Sequence, residues 1–411
     1  MVFDEMLLDD GEAMRRSGAA DRLRAIAGAG ARLRAAVRAA EEGGLAALRP
    51  EGRPTTVLVA GDVPAARTVA DTLAALATPS LQVLHLEPEP AAPPHPPTEP
   101  RWTLPGWAGA MQLLLVLSPH GDSDGLHALV DRAYARGCAT VAVTRPGTDL
   151  ARAVEWARGL TLPFVPQPGE PAPGTNDQHA DTADATTAAA ADPAAGTDLW
   201  ALLGPALALA HRVGVLAAPP EALDGAAARL DEIATRCRPD AATWDNPAKT
   251  LAVELAGSVP LLWAAGPAAV PAAHRLATLL ADQAAIPALA ARLPEALTAH
   301  RGLLHGPRAA RTGASGGAAA AADAEADFFR DRVTEPDRPA PHVVLLDPAG
   351  ETATEEDAPN AIGPLARRHA EAAGAPIDVL TAAPGHPLER LAELLALAEF
   401  TATYAGIGTG S

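Results

Sequence analysis

Short apolar runs rich in β-branched residues alternate along the chain with longer segments whose apolar positions recur every three to four residues. Runs of the first kind occupy 56–60 (TVLVA), 81–86, 111–117 (MQLLLVL) and 139–143 (ATVAV). Each is too short for a typical helix and nearly continuous in hydrophobicity, the pattern of a strand buried on both faces of a parallel sheet. Between them, 64–75 and 125–136 carry helical spacing, and Gly137 supplies a left-handed stop after the second. The alternation returns further along. Strands are expected at 260–264 (PLLWA), 286–289, 343–346 and 377–380, with helices at 272–284, 361–373 and 387–404. Strands alternating with helices, joined by right-handed crossovers, predict an α/β protein with two doubly wound parallel-sheet domains and flanking helices. The similar layout of the halves suggests internal duplication.

An N-terminal helical segment is expected over 1–50. In it the arginines between 15 and 38 are interleaved with Leu23, Ile26, Leu33 and Val37, as in an amphipathic helix with a solvated face. The first α/β domain spans 51–165. Residues 166–198 hold almost no large apolar side chain, so burial cannot offset their ordering entropy, and a disordered linker is expected there. Residues 199–411 hold a helical connection (199–215, 220–237 and 247–256) and the second domain. A low-complexity stretch at 306–326 is expected to be a mobile loop within it.

Composition narrows the function classes. The 411 residues are 48% hydrophobic and 20% charged, which suits a folded chain, yet they include only 6 Trp, 5 Phe and 2 Tyr, so the cores must rest on Ala, Leu and Val. A net charge of −18 argues against nucleic-acid partners, whose binding rests on basic side chains displacing counterions. Cys138 and Cys237 are too far apart in sequence for a disulfide framework or a CxxC metal site. The longest apolar stretch, 199–210, is interrupted by Pro205 and falls short of the about 20 residues a membrane span needs, and the acidic N-terminus is unlike a signal peptide. A cytoplasmic protein without membrane contact is expected. Lys249 is the single lysine among 32 basic residues, so a mechanism that needs a lysine has one candidate.

Candidate chemistry gathers at Ser118-Pro119-His120-Gly121-Asp122-Ser123, between a predicted strand and a predicted helix. The crevice at strand carboxyl ends, with helix N-terminal amides facing it, is where open α/β sheets hold anions. Two readings stand for these residues: a phosphate loop, or an ordinary helix start in which Ser123 caps orphan amides and Gly121 makes the turn. Gly61-Asp62-Val63-Pro64, at the end of the first strand, lacks a dinucleotide fingerprint, and there is no Walker A motif. No His or Cys spacing suits a metal, so no cofactor is expected.

These residues resemble the sugar isomerase (SIS) domain, and in particular the bifunctional phosphoglucose/phosphomannose isomerases. Ser118, Gly121 and Ser123 match that family's Ser-x-Ser-Gly-Asn-Thr phosphate loop, with His120 at its second serine. Asn246-Pro247-Ala248-Lys249-Thr250-Leu251-Ala252 is similar to its Asn-Pro-Ala-Lys-x-Leu-Ala segment, and 273–288 aligns without gaps on its Asn-Glu-Asn-Ala-Lys region. The resemblance implies a homodimer that binds a hexose phosphate and interconverts fructose 6-phosphate with glucose 6-phosphate or mannose 6-phosphate. It puts Asp282 in the column of the catalytic base, one methylene shorter than the family's Glu; an exposed helix carboxylate is the alternative. His300 stands two positions late for the family's ring-opening His, and a surface His is the alternative. Gly61 is the one glycine left of the first phosphate loop, and the lysine of the family's last helix has no counterpart. Lys249 lies in a different segment, where packing or a helix-start salt bridge is the simpler role. Three functions follow: a sugar-phosphate-binding sensor or regulator with a degenerate catalytic set, an active isomerase with Asp282 as base, or a structural dimer without ligand.

Overall fold

Alternate residues of the central strands enter different cores, which is why the runs read as continuously apolar. In the computed structural model, which describes residues 3–16, 18–50, 52–90, 100–166, 198–305, 339–348 and 362–410, five parallel strands form the first sheet. They are β1 (Thr56–Gly61), β2 (Gln82–His85), β5 (Gln112–Leu117), β6 (Ala139–Thr144) and β7 (Leu160–Pro163), in the order β2-β1-β5-β6-β7. A short antiparallel pair, β3 (Glu89–Pro90) and β4 (Pro100–Arg101), stands apart from it. Along β1, Val57 and Val59 face one core while Leu58 and Ala60 face another.

The second sheet contains β8 (Ser258–Ala264), β9 (Leu289–Arg292), β10 (Ala340–Asp347) and β11 (Ile377–Thr381), all parallel, in the order β11-β10-β8-β9. Read from β9, this repeats the first four positions of the first sheet. Here too the faces divide, with Leu262, Ala264, Val344 and Leu346 on one side and Leu261, Trp263, Val343 and Leu345 on the other. The chain is an α/β protein of two doubly wound parallel sheets with flanking helices.

The inner faces of both sheets meet one shared core. It is filled by helices that include α3 (Ala29–Glu42), α4 (Ala65–Leu76), α7 (Leu199–Arg212), α8 (Pro220–Arg236), α9 (Pro247–Leu255), α10 (Val270–Ala284) and α14 (Pro387–Thr409). The outer face of the first sheet is covered by α5 (Asp124–Ala135) and α6 (Asp149–Trp156). That of the second is covered by α11 (Glu295–Ala299), α12 (Arg301–His305) and α13 (Ile362–Ala372). Helix α14 is buried on nearly every side, as expected of a helix that is apolar all round. Among the described residues, no helix is long and apolar enough to cross a membrane.

Three expectations need correction. The arginine-rich stretch is not one helix: α1 (Gly11–Arg16), α2 (Ala19–Ala27) and α3 are separated at Gly18, which has φ +72°, and at Gly28. Nor is its charged face all solvated, since Arg32 is buried and donates to the Ala25 carbonyl. The strand expected at 286–289 begins only at Leu289, because Ala285 takes a left-handed conformation (φ +52°) and the Ile286 amide closes the end of α10 on the Leu280 carbonyl. Helix α6 and strand β7 have no counterpart among the expected elements; they are short, and β7 is only partly buried at the sheet edge. The linker expected at 166–198 lies, but for its two end residues, outside the described residues, and so does the loop expected at 306–326.

Candidate functional site

The order of the first sheet reverses between β1 and β5, so the connections leaving them diverge and open a crevice at their carboxyl ends. Gly61 and Leu117, the last residues of the two strands, are register partners. The next residue on each side is therefore delivered to the crevice: Asp62 from β1 and Ser118 from β5. The fully buried Ser118 hydroxyl donates to Asp62 Oδ2 at 2.6 Å and accepts the Gly121 amide at 3.0 Å. Asp62 Oδ1 is buried and has no hydrogen-bond partner among the described residues. Burial pushes the Asp62 carboxyl above the ordinary carboxylate range; the Ser118 bond, the residue's own backbone amide and His120 oppose this, while nearby Asp122 adds to it.

Gly121 has φ +67°, and a Cβ there would lie 2.6 Å from Thr148 Oγ1 and 2.7 Å from Thr144 Oγ1. Only glycine satisfies both the backbone and the space. His120 and Asp122 are exposed beside it. Ser123 occupies the N-cap position of α5, but its side chain makes no capping bond; its carbonyl instead accepts the Leu126 and His127 amides, each at 3.1 Å. The Ser123 hydroxyl and the Asp124 and Gly125 amides of this twelve-residue helix are thus left without a capping bond. Gly61 has a packing reason of its own. A Cβ there would lie 2.6 Å from the Leu117 carbonyl and 2.7 Å from the Ala66 Cβ, so the glycine lets the start of α4 close onto the strand ends.

The other predicted residues are not brought to this loop. Asp282 is exposed on the last turn of α10. That helix leads from β8 to the parallel strand β9, so its last turn lies at the amino ends of the second sheet, opposite to the carboxyl ends where such sheets hold ligands. His300 is neither a surface residue nor a free acid–base group. It is buried between α11 and α12, where its Nδ1 accepts the Trp263 Nε1–H bond at 3.0 Å, and burial lowers its pKa. Lys249 is fully buried at the start of α9, within a cage of oxygen acceptors. The Asn246 side chain caps that helix by accepting the Ala248 and Lys249 amides, which accounts for part of the Asn-Pro-Ala-Lys segment as a helix start.

Sequence reasoning takes Asp62 only as part of a degraded glycine loop. Its pairing with Ser118 is set by the register of two strands whose ends stand 56 residues apart in sequence. The one local hint is that each residue follows directly on an apolar strand. Among the described residues, no three His, Cys, Asp or Glu side chains cluster to hold a metal ion.

Comparison with known proteins bears on the same architecture. Residues 244–411 match the bacterial phospho-glucose isomerase C-terminal SIS domain. This part of the chain is similar to the SIS domain of that family. No curated protein matches the sequence. Among solved structures, a hypothetical protein of Thermus thermophilus is 13% identical, with 97% of this chain and 88% of that one covered at a TM-score of 0.54. The C-terminal domain of glucosamine-fructose-6-phosphate aminotransferase from Francisella tularensis is 12% identical, with 95% and 96% covered at a TM-score of 0.51. Identities this low speak for the fold alone, and they extend it over both halves. The two doubly wound sheets share the fold of these structures, and over 244–411 the chain resembles the SIS domain of the bacterial phospho-glucose isomerases.

Proposed function

We propose that this SIS protein binds a hexose phosphate at the 118–123 loop without isomerising it, and acts as a cytoplasmic sensor or regulatory homodimer. Aldose–ketose isomerisation moves a proton between adjacent carbons and needs a base, a ring-opening acid and a group that steadies the enediolate around one substrate. The observation that carries the reading is the separation of those groups. Asp282 is exposed on the last turn of α10, His300 is held in the outer core of the second sheet, and Lys249 is buried in a cage of its own. The open Ser123 hydroxyl and the α5 N-terminus support retained binding. Dimerisation and the hexose phosphate come from the family resemblance.

The test is a coupled assay of fructose 6-phosphate with glucose 6-phosphate or mannose 6-phosphate, run beside a thermal-shift screen of the same sugars. The expected result is stabilisation without turnover. A ligand at 100 times its Kd stabilises by about 2.7 kcal/mol, enough to move the melting temperature visibly. Turnover that Asp282→Asn abolishes would restore the active-isomerase reading, with Asp282 as base. Absence of any shift at millimolar sugar phosphate would leave a structural dimer.

A further inference from the structure

The Ser118 hydroxyl has one proton, and it already points at a carboxylate 2.6 Å away. A phosphate dianion only accepts hydrogen bonds, so a phosphate seated against Ser118 needs that same proton. Asp62 therefore stands where the incoming anion would stand with respect to this donor. Its Oδ1 is buried and without a hydrogen-bond partner among the described residues, and a partly buried crevice screens a charge less than water does. Asp62 and the phosphate compete both for a donor and electrostatically.

We propose that the Asp62 carboxylate is a built-in competitor of the sugar phosphate, so that a hexose phosphate enters the 118–123 loop only when this carboxyl is uncharged or replaced. This rests on the ligand-loop reading above and adds its regulation. Protonation of Asp62 removes the repelling charge and, in the same step, turns the carboxyl into a donor, leaving the Ser118 hydroxyl free to turn to the ligand. The charged groups around Asp62 come from the loop after β5, where Asp122 favours the neutral carboxyl and His120 the ionised one. A carboxyl displaced upward by burial reaches its neutral form at higher pH than a solvated one, which suits such gating.

The experiment is calorimetric titration of the full chain with fructose 6-phosphate, comparing wild type with Asp62→Asn between about pH 8 and about pH 5. The sugar's own phosphate titrates near pH 6, so the quantity read is the ratio of the two Kd values at each pH, in which the ligand's titration cancels. At pH 8 the wild type should bind about tenfold or more weakly than Asp62→Asn, the scale of one pKa unit of interaction, and the ratio should fall as the pH is lowered toward about 5. Equal affinities at both ends of the range overturn the proposal while leaving the ligand loop in place. Absence of binding by both proteins, each folded by circular dichroism, overturns the ligand loop and the proposal with it. Should Asp62→Asn fold poorly, Asp62→Ser removes the same charge and is held to the same ratio.

Discussion

The Nζ of Lys249 lies 2.7 Å from Oδ1 of Asp9, a residue 240 positions earlier in the chain. Its other two hydrogens go to the carbonyls of Pro239 and Ala241, each at 2.8 Å, and the ammonium sits 5.4 Å from the centre of the Tyr404 ring. The Tyr404 hydroxyl in turn donates to the Cys237 carbonyl at 2.7 Å. One ammonium thus ties the N-terminal segment, the loop after α8, α9 and α14 together. Three acceptors converging on a point suit a compact ammonium and not a planar guanidinium, which explains why this site carries the only lysine of an arginine-rich sequence.

Replacing this lysine should therefore cost stability and not chemistry. Lys249→Met leaves two carbonyls and a half-exposed carboxylate without their donor and is expected to destabilise by about 1–3 kcal/mol in urea unfolding. Lys249→Arg should also destabilise, because three acceptors converging on a fully buried ammonium do not match the planar fork. A loss below about 0.5 kcal/mol, the usual effect of a surface change, would mean the cage contributes nothing. The bond from Lys249, ahead of other influences, holds the Asp9 carboxyl below its ordinary value. Its contribution is complete above the unfolded carboxylate pKa of about 3.9 and disappears as pH falls through the lower folded value. That acid-side loss should be absent in Lys249→Met.

The Trp263–His300 bond makes a second pH-dependent contribution, at higher pH. Burial lowers the His300 pKa, so the folded protein resists protonation while the unfolded chain accepts it. Stability should fall as pH drops below about 6.5 and level off once the folded value is passed. His300→Gln should flatten this dependence in thermal melts recorded across that range. His300→Ala, which leaves the Trp263 N–H buried without an acceptor, should cost about 1–3 kcal/mol. If His300→Ala melts as the wild type does, the hydrogen bond is not supporting the fold.

The buried pair Arg275–Glu399, at 2.9 Å with side chains 3% and 5% exposed, links α10 to α14 inside the shared core. The same carboxylate acts on Arg32, itself buried. Glu399→Gln leaves buried guanidinium charge without its counter-charge and is expected to cost about 3–5 kcal/mol. The double change Arg275→Met with Glu399→Leu should cost less than the sum of the two single changes, because it removes both partners of the pair, although Arg32 still loses the Glu399 charge. Additive losses in the double-mutant cycle would contradict this.

Much of the architecture is legible in local sequence because its causes are local. Runs such as 113–117 are apolar at every position because both faces of the strand are buried, and Gly137 ends its helix segment with the left-handed backbone (φ +72°) that glycine favours. Short elements escape where the pattern is weak. Helix α6 has eight residues and β7 four, too few for periodicity to separate them from loop. The early strand start at Ile286 arises because a buried apolar residue closing a helix end reads the same, one residue at a time, as a buried residue opening a strand.

Which side chains meet is a different kind of information. By itself the sequence determined the α/β class, the repeated alternation of strands and helices, and the glycine turn of the 118–123 loop, because hydrophobic period and backbone chirality act over a few neighbouring residues. Only the tertiary structure decided that Asp62 takes the Ser118 hydroxyl, that His300 belongs to Trp263 and that the single lysine belongs to Asp9. These partners are 56, 37 and 240 residues apart. Strand register and helix packing bring them together, and both are properties of the folded whole.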